Sequence, residues 1–157
     1  MGFKRTFSSV ILIFGLVGGL WAAGLSLDLA QMGLSDQWDQ PLANPSEVRW
    51  LLVSGDKAAH SEVHEYFNEQ GADWLQRQGL VYLSDISAMP SLITKMFALP
   101  KMRKYQYPLY LDRSGEQVGP IQPPQGKLLL VELANGQAQS DRLVSSLKEL
   151  LSALESP

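Results

Sequence analysis

The chain has 157 residues, 45% of them hydrophobic, a formal net charge of −3 and no cysteine. The missing thiols exclude disulfides, thiol redox chemistry, thiolate nucleophiles, cysteine metal sites and lipid attachment through cysteine. The acidic balance argues against a nucleic-acid partner, because a phosphate backbone requires a stripe of cations.

In chain order, Lys4 and Arg5 precede an uncharged stretch from Thr6 to Leu27 that is most apolar between Val10 and Ala23. A charged start, an apolar core and the small residues Ala22-Ala23-Gly24 form the pattern of an export signal, with residues 1–24 removed by cleavage after Gly24. The alternative is an uncleaved anchor, although the apolar core falls short of the roughly 20 residues that span a bilayer comfortably. The protein touches a membrane on this reading only if that segment stays attached. Removing it takes away two cations and no acid, so the remainder is more acidic still. What is left is long enough for one domain with a proper core.

Residues 25–46 read as an irregular lead-in, and residues 47–155 as the folded domain. Val-Arg-Trp-Leu-Leu-Val at 48–53 is a nearly continuous apolar run, as expected for a central strand buried on both faces. Ser54-Gly55-Asp56-Lys57 breaks it, and Ser54 or Asp56 is placed to cap the following helix, whose face carries Val63, Tyr66 and Phe67. Gly71 interrupts that helix and Gly79 closes it. Leu80-Val81-Tyr82-Leu83 reads as a second strand. A helix capped by Ser87 then places Leu92, Ile93, Met96 and Phe97 on one face, with Pro90 in its first turn and Pro100 ending or kinking it.

Tyr107, Leu109 and Leu111 alternate with Pro108, Tyr110 and Asp112, and Asp-Arg-Ser-Gly at 112–115 supplies a turn, so this stretch reads as an antiparallel inner hairpin. Lys127 to Leu133 is a further strand, closed by the turn signal Asn135-Gly136. A helix from Asp141 to Leu154 presents Leu143, Val144, Leu147, Leu150, Leu151 and Leu154 as its apolar stripe. Strands alternating with helices define an α/β fold with a mixed sheet of four to five strands flanked by helices.

Trp50-Leu51-Leu52-Val53 before a helix, Tyr107-Pro108-Leu109-Tyr110-Leu111 with Gly115-Glu116, and the closing helix together resemble the thioredoxin-like superfamily over roughly residues 48–154. With Asp85-Ile86-Ser87 and Leu99-Pro100-Lys101-Met102-Arg103, the chain is similar to a group of exported bacterial thioredoxin-like proteins, some labelled as FAD/FMN-containing dehydrogenases. No flavin or other cofactor is expected here, because no Gly-x-Gly-x-x-Gly turn exists to bring backbone N–H groups onto a pyrophosphate. Where the superfamily places Cys-x-x-Cys, this chain has Ser54-Gly55-Asp56-Lys57-Ala58, so the thiol chemistry does not carry over. What the resemblance implies is geometric: a cis Tyr107–Pro108 bond facing the first helix's N-terminus. Ser54, Gly55, Asp56, Lys57, Tyr107 and Pro108 would then line a groove whose open backbone takes an extended peptide or an envelope protein.

Two other constellations compete with that groove. His60 and His64 lie one helical turn apart, so with Asp56 or Glu65 they could meet a metal, although the acid is misplaced for an H-E-x-x-H helix. The preferred reading is a solvated helical face, in which both imidazoles are replaceable at little cost. Lys95, Lys101, Arg103 and Lys104 cluster around Pro100 beside Tyr105, Tyr107 and Tyr110, which suits either a soluble surface or an anionic ligand, lipid headgroup or acidic partner. No nucleophile elbow or triad accompanies Ser61, His64 or Asp85. The domain therefore reads as a redox-inactive binding or accessory module, with an enzyme or metal site around Asp56, His60 and His64 as the alternative.

The export signal predicts a mature protein that begins near Leu25 outside the cytoplasm. Intact-mass measurement on protein from its native host, with membrane and soluble fractions separated, should return that species. A full-length membrane-bound chain would establish the anchor instead, and a cytosolic one would end the export reading.

Overall fold

Trp50, Leu51, Leu52, Val53 and Ser54 are all buried, so β1 (Trp50–Ser54) must have protein on both of its faces. It does: it is the central strand of a five-stranded sheet that is covered by helices on one face and by the lead-in and a later loop on the other. The structure is a computed structural model that describes residues 26–55 and 61–156. β1 is flanked by β2 (Leu80–Asp85) in parallel and by β4 (Leu128–Ala134) in antiparallel. β3 (Tyr110–Asp112) and β5 (Gln137–Val144) form the edges, in the order β3-β2-β1-β4-β5. Full burial of each Leu or Val on β1 contributes about 1.5–3 kcal/mol before entropy is charged against it.

Alternation along the strands divides the interior in two. Trp50, Leu52, Leu80, Tyr82, Leu128 and Leu130 face a layer of helices. That layer comprises α1 (Ser61–Gln70), α2 (Ala72–Gln78), α3 (residues 91–102) and α4 (Leu147–Glu155), which contribute Val63, Phe67, Leu75, Met102, Leu150 and Leu154. On the other face Leu51, Val53, Val81, Leu83, Leu129 and Val131 meet Leu27, Leu29 and Leu34 of the lead-in and Val118 and Ile121 of a later loop. The lead-in also pairs with the sheet: Leu29 N–H donates to the Gly136 carbonyl at 2.8 Å, and Leu111 N–H to the Ser35 carbonyl at 3.0 Å.

Gly71 separates α1 from α2, and Gly79 ends α2 with φ 62°. A Cβ at Gly79 would lie 3.2 Å from the Cβ of Arg49 and 3.3 Å from its nitrogen, so both the backbone conformation and the space favour glycine. Asn135 and Gly136, both at positive φ, turn β4 into β5.

Four expectations fail. The stretch around Tyr110 is a parallel edge strand, with Leu83 opposite Tyr110 and Asp85 opposite Asp112, and is not an antiparallel hairpin. Its following turn is nonetheless tight: Asp112 accepts backbone N–H groups from Ser114 and Gly115 on one oxygen and from Gln117 and Val118 on the other. Burial would raise this carboxyl, but the four donors outweigh it and hold Asp112 below its ordinary value of 3.8. The last helix starts at Leu147, because residues 137–144 belong to β5. Its cap is Ser146, whose Oγ accepts the Glu149 N–H, while the Glu149 carboxylate reaches back to the Ser145 N–H.

In α3, Ser87 is not the cap; its N–H donates to the Asp85 carboxylate instead. The helix runs as Ser91–Ile93, a π-helical turn Thr94–Ala98 and a last α-turn Leu99–Met102. The wider turn precedes Pro100, whose ring lacks an N–H and crowds the preceding carbonyls, so it lets the helix continue past the proline.

The Tyr107–Pro108 bond is trans, since no cis peptide bond occurs among the described residues. The geometry is maintained by Gln37, which is fully buried. Its Nε2 donates to the carbonyls of Tyr107 at 2.9 Å and Met102 at 3.3 Å, and its Oε1 accepts the Leu109 N–H at 2.8 Å. A carbonyl and the N–H two residues on point the same way in an extended trans chain, so one amide satisfies both, as a neighbouring parallel strand would. Gln37→Ala leaves these buried backbone groups without their partner. At about 1–3 kcal/mol for each unsatisfied group, it should cost roughly 2–4 kcal/mol in urea unfolding; a loss below about 0.5 kcal/mol would show that water replaces the amide.

Candidate functional site

At the carboxyl ends of β1 and β2 the sheet opens into a cleft of about 480 Å³. Gly55, Ser84 and Asp85 come from the strand ends, Ser61 and His64 from α1, and Lys101, Met102, Tyr105 and Tyr107 from the end of α3 and the segment after it. Ligands of open α/β sheets collect outside the carboxyl ends of the strands, so the position itself is informative.

Aromatic rings form the inner wall. Tyr107 is buried and lies nearly parallel to Tyr105 and Tyr82, with centroid distances of 5.7 and 6.4 Å. Phe67 of α1 meets Tyr107 edge-on at 5.7 Å, and the His64 ring lies 4.1 Å from that of Tyr105. The Tyr107 hydroxyl is 2.8 Å from Nδ1 of His64. Burial, reinforced by the Lys101 charge and only opposed by Glu65, lowers His64 below its ordinary value of 6.5. Burial, with Tyr105 nearby, raises Tyr107 far above 10.0. At neutral pH both partners of this hydrogen bond are therefore uncharged, a phenol against a neutral imidazole. Behind it, burial raises Tyr82 as well, with a contribution from Tyr107 that outweighs the opposing hydrogen bond from Ser54.

The residues expected to form the groove have different positions. Gly55 and Tyr107 share the cleft, whereas Ser54 is buried at the end of β1. A Cβ on Gly55 would lie 3.0 Å from Cγ of Gln122, so the loop after β3 closes on this point. Pro108 is half-buried and does not line the cleft. Asp56, Lys57 and His60 lie outside the described residues. The Tyr107 carbonyl, expected to be open to a strand-like partner, is instead engaged by Gln37. The backbone on either side of Pro108 is thus already paired within the protein.

His64 is not the solvated imidazole expected of its helix. It is half-buried against two tyrosines, and its Nδ1 is already engaged, which restricts any metal role with Asp56 and His60 to the other ring nitrogen. Among the described residues no group of three or more His, Cys, Asp or Glu side chains is arranged to hold a metal ion. Gln37 and Met102 were not anticipated as organisers of this region, and Tyr105 was expected only as aromatic surface beside the cations around Pro100. Only Tyr105 had a signal, its spacing of two from Tyr107.

This cysteine-free chain has a thioredoxin-like fold. Among solved structures it is similar to a thioredoxin-like protein from Porphyromonas gingivalis, at 14% identity, covering 77% of this chain and 85% of that one with a TM-score of 0.50. It also matches StoA from Bacillus subtilis, at 10% identity over 77% and 92% of the two chains, TM-score 0.48. The thioredoxin domain of a thiol-disulfide oxidoreductase from Bacteroides vulgatus matches at 13% identity over 85% and 92%, TM-score 0.48. No family model matches the sequence, and no curated protein does.

His64→Ala removes the hydrogen-bond partner of a buried phenol and should cost about 1–3 kcal/mol, with His64→Asn recovering part of it. Combined with Tyr107→Phe, the alanine should cost clearly less than the sum of the two. Because the folded state depresses His64, its contribution is present above 6.5 and is lost as pH falls through the lower folded value. Urea unfolding between pH 7 and pH 5 should therefore show a loss in the wild type that His64→Asn lacks. Parallel pH profiles would mean the imidazole titrates freely.

Proposed function

We propose that the protein is an exported, redox-inactive thioredoxin-like module that binds part of an envelope protein in the cleft at the carboxyl ends of β1 and β2. The observation that carries this reading is a cleft of about 480 Å³ whose wall of Tyr105, Tyr107 and His64 is neutral at physiological pH. Such a wall offers ring faces to apolar or aromatic side chains, with Lys101 and Asp85 adding one charge of each sign at the rim. The thiol step of a redox-active thioredoxin has no counterpart, since the chain has no cysteine. With the backbone around Tyr107 already paired to Gln37, the partner is held through its side chains and does not extend the sheet.

Placing a photo-crosslinking benzoylphenylalanine at Tyr105, in the cleft, and separately at Gln139, an exposed position on β5, tests this in the native host. Position 105 should yield a discrete envelope-protein adduct that position 139 does not, and Ser61→Trp, which fills the cleft mouth, should reduce it several-fold. Identical adducts at both positions, or an adduct indifferent to Ser61→Trp, would remove the cleft from the account.

A further inference from the structure

Helix α3 directs its largest apolar side chains away from the protein. Leu92, Ile93, Met96 and Phe97 are 65%, 45%, 59% and 64% exposed, while Thr94 and Met102 are the buried residues of the same helix. Isolated exposed apolar residues are ordinary, but four large ones within six positions form a patch that marks a contact surface. Along the helix and the segments that flank it in sequence, the charge has one sign. From Ile86 to Leu111 the chain carries Lys95, Lys101, Arg103 and Lys104 and none of its 16 acids.

Beside the ridge, a pocket of about 170 Å³ is lined by Ser91, Lys95 and Arg113 together with Ile86, Met89 and Leu99. Among the described residues, the acid in ion-pair contact with this basic group is Asp39, which lies 2.8 Å from Arg113 and 3.5 Å from Arg103. One carboxylate shared between two guanidiniums leaves the surface cationic.

We propose that α3 is a membrane-contact element: Leu92, Ile93, Met96 and Phe97 enter the headgroup boundary of an anionic bilayer, and Lys95 and Arg113 take a lipid phosphate at the adjoining pocket. Apolar side chains bordered by lysines on one short helix match the chemistry of helices that lie in the interfacial plane. Charge complementarity selects the occupant. A second copy would bring the same four cations against this face, whereas a sheet of phosphates neutralises them and accepts a convex ridge without needing a groove to match.

The absence of cysteine permits a clean test on the full chain. Leu92→Cys on α3 and, separately, Gln139→Cys on β5 carry an environment-sensitive nitrobenzoxadiazole label, and each protein is mixed with vesicles of phosphatidylcholine alone or with one-quarter phosphatidylglycerol. Because the comparison is between positions, any insertion of the apolar residues 10–23 affects both labels alike. The label at 92 should shift to shorter wavelength and be quenched by nitroxide lipids on the phosphatidylglycerol vesicles. The label at 139 should not respond. Lys95→Glu with Lys101→Glu should weaken the response at 92 at least several-fold, as should Phe97→Asp. A label at 92 that stays in water on both vesicle types overturns the proposal. So does a response equal on both, which would deny the role of the phosphates. Protection that appears without lipid and grows with protein concentration would make the ridge a protein interface and equally overturn it.

Discussion

One buried side-chain amide ties the lead-in to the segment that carries the chain from helix to edge strand. Gln37, from the lead-in, bonds to Met102 at the end of α3, to Tyr107 and to Leu109 just before β3. These bonds span separations of 65 to 72 residues, and they fix where the polypeptide turns from helix to edge strand. Arg103 adds a second tie, its Nε donating to the Gln37 carbonyl at 2.9 Å. A fully buried amide is tolerable only when its donors and acceptor are used, and here they are. Among the described residues no buried side-chain nitrogen or oxygen is left without a partner.

The consequence for the cleft is direct. By engaging the Tyr107 carbonyl from outside, Gln37 holds the ring of Tyr107 inward, where it stacks on Tyr82 and hydrogen-bonds with His64. The groups around that ring all favour their neutral forms near pH 7, because burial raises the phenols and lowers the imidazole. Catalytic sites more often set two titratable groups at opposite charge or poise one near the working pH. A neutral aromatic wall is better suited to holding an apolar group than to moving a proton.

What could be read from the sequence follows from which signals are local. The apolar run at 50–53 announces a strand buried on both faces whatever its neighbours are, and Asn135-Gly136 announces a hairpin through its own backbone preference. Alternation at 107–112 announces a strand but not its direction, since parallel and antiparallel neighbours impose the same period of two. Leu143 and Val144 continue the stripe of the last helix by spacing alone, which drew its expected start back to Asp141 and past the local mark of the true start, Ser146-x-x-Glu149. The site was less legible than the fold. Gly55 and Tyr107 could be brought near one another by resemblance, but the partner of His64 stands 43 residues away, and nothing in the lead-in marks Gln37 as its support.

The same limit explains α3, where periodicity locates an apolar face without saying which way it points. The inward side of this helix is occupied by Thr94, Leu99 and Met102, because Met102 must deliver its carbonyl to Gln37 and its side chain to the core. That leaves Leu92, Ile93, Met96 and Phe97 on the outside. A helix anchored at its end by a buried polar contact has no rotational freedom to exchange its faces, and a turn around Pro100 that already needs π-helical geometry restricts it further. The residues that shape the cleft and those that form the external ridge therefore belong to one rigid segment, held by the lead-in at Gln37 and by Asp39 two residues on. A partner in the cleft would accordingly sit at a fixed distance and angle from whatever surface the ridge touches.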